Sequence, residues 1–76
     1  MEEGFIYKKS YVIKDLKENA YVSYFSWRGN EYTNLIYKAE KFESKEEALK
    51  QSKYGEIDFI EIVTIHENVS KEDEDN

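Results

Sequence analysis

The sequence predicts a small α+β domain: an antiparallel sheet of three or four strands with one helix packed on one face, in the order β-β-(β)-α-β. Three observations predict it. Runs rich in Phe, Tyr, Ile and Val occupy residues 5–14, 20–28 and 57–67 with strand-like patterning. A two-residue turn signal, Gly29-Asn30, interrupts the aromatic middle of the chain. One segment, Ser44 to Tyr54, carries helix start and stop signals.

The first strand, Phe5 to Lys14, contains no Gly or Pro. Phe5, Tyr7, Tyr11 and Ile13 share one face, the expected core side, and Ile6 and Val12 lie opposite with Lys8, Ser10 and Lys14. Asp15 to Asn19 is polar turn material. The second strand is expected from Ala20 to Arg28. A tight hairpin at Gly29-Asn30 then pairs Arg28 with Glu31, Trp27 with Tyr32, Phe25 with Asn34 and Tyr24 with Leu35. In that register both faces carry rings, so the hairpin is either sandwiched or uses one side to bind. Phe25, and one of Tyr24 or Trp27, are expected in the core.

Ser44 begins the helix as a capping residue, and Glu47, three positions on, completes a capping box. Glu46 and Glu47 suit the positive end of the helix dipole. Ala48 and Leu49 are expected to face the sheet, Phe42 to pack just ahead of the cap, and Gly55 to end the helix at C′. The last strand, Ile57 to Glu67, places Phe59, Val63 and Ile65 on one face and Ile60 and Ile62 on the other. As the most apolar segment it reads as a central strand. The domain is thus expected over 1–67, with a disordered acidic tail over 68–76 that has too few apolar atoms to offset its ordering entropy.

Composition narrows the function classes. Net charge is −6, but residues 1–66 hold 12 acids and 10 bases whereas 67–76 hold five acids and one base. The body is nearly neutral, which argues against direct nucleic-acid binding through a basic footprint. There is no cysteine, hence no disulfide framework and no thiolate metal site. No apolar run reaches the ~20 residues of a membrane span, and the acidic Met1-Glu2-Glu3-Gly4 is unlike a basic signal sequence. A cytoplasmic protein without a membrane partner is the expectation.

No pattern calls for catalysis, a cofactor or a metal. His66 is the one histidine, and its place near a strand end suits a solvated side chain. Glu46 and Glu47 are adjacent on a helix, so their side chains diverge, and capping accounts for both. The three glycines lie far apart, which excludes a phosphate-binding loop. What stands out is aromatic content: twelve rings, 16% of the chain, more than so small a core can hide. Tyr24, Trp27, Arg28, Tyr32 and Tyr37 are the residue types that dominate binding hot spots, and they form the expected protein-binding surface. The tail acids Glu72, Asp73, Glu74 and Asp75 are expected to add electrostatic steering.

The stretch Tyr37-Lys38-Ala39-Glu40-Lys41-Phe42-Glu43-Ser44-Lys45-Glu46-Glu47-Ala48, followed by Phe59-Ile60-Glu61-Ile62-Val63, resembles small accessory proteins of phages from Gram-positive bacteria. It transfers no functional residue. The resemblance implies a short sheet coupled to one helix, and a protein that binds and inhibits a host enzyme or a defence system. The expectation is therefore a non-enzymatic protein-binding module, an inhibitor or modulator acting by surface occlusion. Two alternatives stand beside it. One is an acidic nucleic-acid competitor, or DNA mimic, that fills a basic channel. The other is a self-associating structural protein. A homodimer through an uncovered sheet face or edge is also expected, because one helix cannot cover four strands.

Overall fold

A computed structural model describes residues 5–70. It contains strands β1 (Phe5–Asp15), β2 (Ala20–Tyr24) and β3 (Glu31–Thr33), a 3₁₀ turn (Ile36–Lys38), helix α1 (Lys45–Tyr54) and strand β4 (Ile60–Ser70). The strands form one antiparallel sheet in the order β3-β2-β1-β4, and α1 packs on one face against β1 and β4. The expected architecture is therefore observed. No helix among the described residues is long and apolar enough to cross a membrane.

β1 and β2, not β4, are the interior strands. Val12 and Ile13 are consecutive, point to opposite faces and are both fully buried. Ile60, Ile62, Val63 and Ile65 of β4 remain only half-buried, because β4 lies at the sheet edge. The run that looked central was apolar without being enclosed. β4 pairs with β1 in unbroken register from Phe5↔Ser70 to Asp15↔Ile60. Residues 68–70 of the expected tail thus belong to the sheet; 71–76, with Glu72, Asp73, Glu74 and Asp75, lie outside the described residues. The side chains of Phe5 and Tyr7, expected in the core, also lie outside the description.

The β2 side of β1 is built differently. β1 and β2 pair only at Lys14↔Tyr21 and Asp15↔Ala20. The two strands then separate, and residues 40–42 fill the gap. Tyr11 and Phe42 exchange both backbone hydrogen bonds, at 2.9 and 2.8 Å, and the Glu40 N–H donates to the Val22 carbonyl at 3.1 Å. This places Phe42 over the core cluster of Ile13, Val22, Phe25 and Ala48, with Tyr11, Ile57, Ile60 and Ile62 packed against it. Phe42 meets Phe25 edge to face at 5.7 Å, a favoured arrangement of the two ring quadrupoles.

The hairpin departs from the expected register. β2 stops at Tyr24, which pairs with Glu31, and Val22 pairs with Tyr32. Six residues, Phe25 to Asn30, form the loop instead of Gly29-Asn30 alone. A bulge between Val22 and Tyr24 accounts for much of this. Val22 and Phe25 would face opposite sides of a regular strand, yet both are in the core. The extra residue brings Phe25 inward and turns Tyr24 outward.

Ser44 caps α1 as expected, its hydroxyl accepting from the Glu47 N–H at 3.1 Å. The buried helix face is Ala48 with Ser52 rather than Ala48 with Leu49; Leu49 is exposed. Positions i and i+4 share a face, and these two small residues let the helix sit close to the sheet. The C-terminus also differs. Gly55 keeps helical geometry, φ −81° and ψ 0°, and Glu56 takes the left-handed conformation at φ 59°. Glu56 N–H donates to Lys53 O and Ile57 N–H to Ser52 O, each at 3.0 Å, the paired bonds of a Schellman motif. Ile57, just beyond, packs on the core. Gly55 is needed for space, not for φ: a Cβ there would lie 2.6 Å from Asn30 Oδ1.

Candidate protein-binding surface

The aromatic loop is held at three points. Its tip is a turn in which the Gly29 N–H donates to Ser26 O at 3.0 Å and the Arg28 N–H to Ser26 Oγ at 3.1 Å. At its end, Asn30 Oδ1 accepts from the Ser26 N–H at 2.9 Å. Asn30 Nδ2 donates to Gly55 O at 3.0 Å, so one amide closes the loop on itself and fastens it to the end of α1. At its start, Phe25 is anchored in the core. Trp27 and Arg28 occupy the tip. Trp27 is 62% exposed, and the Arg28 guanidinium lies over its ring at 5.1 Å, within the range of a cation–π contact. The core takes neither Trp27 nor Tyr24, although one of the two was expected there; the bulge and the longer loop carry both outward.

The five expected surface residues do not share one face. Tyr24 is 57% exposed and, paired with Glu31, stands on the helix-free side of the sheet with Tyr21 and Thr33. Lys14 Nζ lies over the Tyr21 ring at 5.9 Å on that same side. Tyr32 is on the helix side. Its hydroxyl donates to Asp15 Oδ2 at 2.8 Å, so this ring belongs to the scaffold as much as to the surface. Burial and the Asp15 hydrogen bond both push the Tyr32 hydroxyl above its ordinary pKa, outweighing a contribution from Asn30 that lowers it. Tyr37, in the 3₁₀ turn, is 65% exposed.

Asp15 is an organising residue that composition alone does not reveal. It is buried, and its Oδ1 accepts from the Lys17 and Glu18 N–H groups at 2.9 and 3.3 Å. Asn19, at φ 56°, closes the turn by donating to Asp15 O at 2.8 Å. An Asp opening a polar run that ends in Asn is a turn signature, so this role was available to sequence reasoning. Asn30's was not, since its partner Gly55 is 25 positions away.

A cavity of about 200 Å³ lies beside Asp15 and Tyr32, walled by Glu18, Asn30, Glu56, Asp58 and Phe59 among others. Phe59, expected on a strand face, precedes β4 and is exposed there. Two of its polar side chains are committed to the scaffold. Both Asp15 oxygens are engaged by scaffold hydrogen bonds, and Tyr32 is held as a proton donor. No three His, Asp or Glu side chains gather as a metal site among the described residues. His66 is exposed on β4 opposite Lys9.

No known protein family, curated protein or solved structure matches the chain.

Proposed function

We propose that this chain is a non-enzymatic protein-binding module that covers a partner's surface with the Trp27–Arg28 loop, supported by Tyr24 on the adjoining sheet face. The observation that carries the reading is the exposed Trp27 at a tip fixed by Ser26, Asn30 and the buried Phe25. A large ring left outside the core costs the fold burial it could have had. A ring presented from a fixed backbone needs no loop ordering on binding, so more of its contact area converts into affinity. Arg28 stacked on the ring adds a charged, bidentate donor at the same spot.

An inhibitor or modulator of a host enzyme or defence system is the role we favour, on the resemblance of residues 37–63 to phage accessory proteins. The test is capture from a bacterial lysate with tagged chain, run in parallel with Trp27→Ala and Arg28→Ala. A partner retained by the wild type and lost by both variants supports the reading. A partner retained equally by all three refutes the loop as the contact. If capture instead disappears with salt and with removal of the tail acids, the DNA-mimic alternative takes its place.

A further inference from the structure

We propose that a second copy of this chain pairs with the free edge of β4, joining two sheets into one continuous antiparallel sheet. The hydrogen-bond phase of β1 shows which groups of β4 face outward. Tyr11 exchanges bonds with Phe42 on one flank, and the Leu16 N–H donates to Phe59 O at 2.9 Å on the other. Bonding alternates along an antiparallel pair. The even-numbered residues of β1 therefore bond β4, and their partners Glu61, Val63, Ile65 and Glu67 face β1. Ile62, Thr64 and His66 must direct their N–H and C=O groups away from the sheet. Among the described residues, nothing hydrogen-bonds to them.

Edges are usually protected by shortness, charge, proline or a bulge. β3 is short, at three residues. The part of β1 beyond Tyr11 carries the exposed Lys8 and Lys9. β4 has none of these devices from Ile62 to Ile65: the four residues are uncharged, half-buried or exposed, and in unbroken register. The core beneath is small: among the described residues only Val12, Ile13 and Val22 are large, fully buried side chains. Small domains commonly gain stability by oligomerising.

Self-pairing is chosen over a foreign strand because one register satisfies this edge with its own sequence. Two-fold symmetry about Val63 sets Ile62 opposite the partner subunit's Thr64, and Ile60 opposite the partner subunit's His66. Those are all outward-facing positions, so their backbone groups can bond. Val63 then meets the partner subunit's Val63, extending the Val12↔Val63 row across the junction. A register shifted to Thr64 sets Glu61 against the partner subunit's Glu67 twice, and like charges directly opposed are unfavourable. Opposed residues share a face, so both helices lie on the same side, and the Trp27 loops sit at opposite ends. Such a dimer is bivalent for any partner of the loop. The contact uses none of the loop residues and is tested without a partner.

Sedimentation equilibrium of the full chain, from micromolar to millimolar, should show a species of twice the 9.1 kDa chain mass. In that species the amides of Ile62, Thr64 and His66 should exchange slowly with deuterium. Thr64→Pro removes an outward N–H and none of the β1–β4 hydrogen bonds. It should weaken the dimer about tenfold or more. Thr64→Lys provides a second disruption that requires no proline, with the same expectation. A chain monomeric at every concentration overturns the proposal and leaves the edge to an extended segment of another protein. A dimer equally strong in both variants overturns it too, by placing the contact elsewhere.

Discussion

Asn30 and Gly55 form a clamp whose energetics can be separated. Asn30→Ala removes the acceptor for the Ser26 N–H and the donor to Gly55 O. At about 1 kcal/mol for each hydrogen bond, the loss is about 2 kcal/mol. That is near half of the 3–5 kcal/mol, roughly, that a core of this size supplies. Gly55→Ala should also destabilise, for a different reason. The new Cβ would meet Oδ1 at 2.6 Å and Cγ and Nδ2 at 3.2 Å. Those atoms belong to a side chain bonded at both ends, so they cannot swing aside without breaking the clamp. Overpacking of this kind costs about 1–3 kcal/mol. Once Asn30 is Ala, the obstruction is gone, and Gly55 has an ordinary φ of −81°. Adding Gly55→Ala to Asn30→Ala should then be neutral or stabilising by up to about 0.5 kcal/mol, because alanine has less unfolded-state freedom to lose. The sign of one substitution thus reverses with its background. Urea denaturation of the wild type, both single variants and the double variant, followed by far-UV circular dichroism, completes the cycle. Additive effects would refute the clamp, and so would an Asn30→Ala loss below about 0.5 kcal/mol.

Two further outcomes follow from the scaffold. Ser44→Ala should cost about 1 kcal/mol, read by urea denaturation, through loss of the cap on Glu47 N–H. Tyr32 makes stability fall in alkali: its folded pKa lies above the ordinary 10.0, so above pH 10 the unfolded chain binds fewer protons than the folded one. The contribution is complete below that pH and is lost as pH rises through the folded value. A urea titration series should show this decline in the wild type and a shallower one in Tyr32→Phe.

Much of the fold was legible because local signals agreed with the final packing. Ser44 followed by Glu47, the placement of Phe42 just ahead of the cap, and Tyr11 with Ile13 on the core face of β1 are local or periodic features. What failed depended on distant partners. Gly29-Asn30 reads as a tight turn, but the Asn30 side chain is drawn to Gly55 and the loop opens around it. The bulge that turns Tyr24 outward leaves no mark in the alternation, since both faces of that strand carry rings. β4 reads as central from its Ile and Val content, yet hydrophobic content does not reveal whether a strand has one neighbour or two. Leu49 outranks Ser52 in hydrophobicity, but the close approach of α1 favours the small residue inside. Of the expected surface residues, the exposure of Tyr24, Trp27 and Tyr37 was legible and the arrangement was not: Tyr32 is bound to Asp15, and Trp27 and Arg28 stand on a loop rather than a strand.

The binding role of the loop is tested most directly by comparing Trp27→Ala with the wild type for both stability and affinity toward a captured partner. Trp27 lies outside the core, so urea denaturation should place the two within about 0.5 kcal/mol. Affinity, measured by calorimetry, should fall by about 2 kcal/mol or more, the loss typical of a buried interface aromatic. Unchanged affinity in a variant that folds as the wild type does would contradict the account.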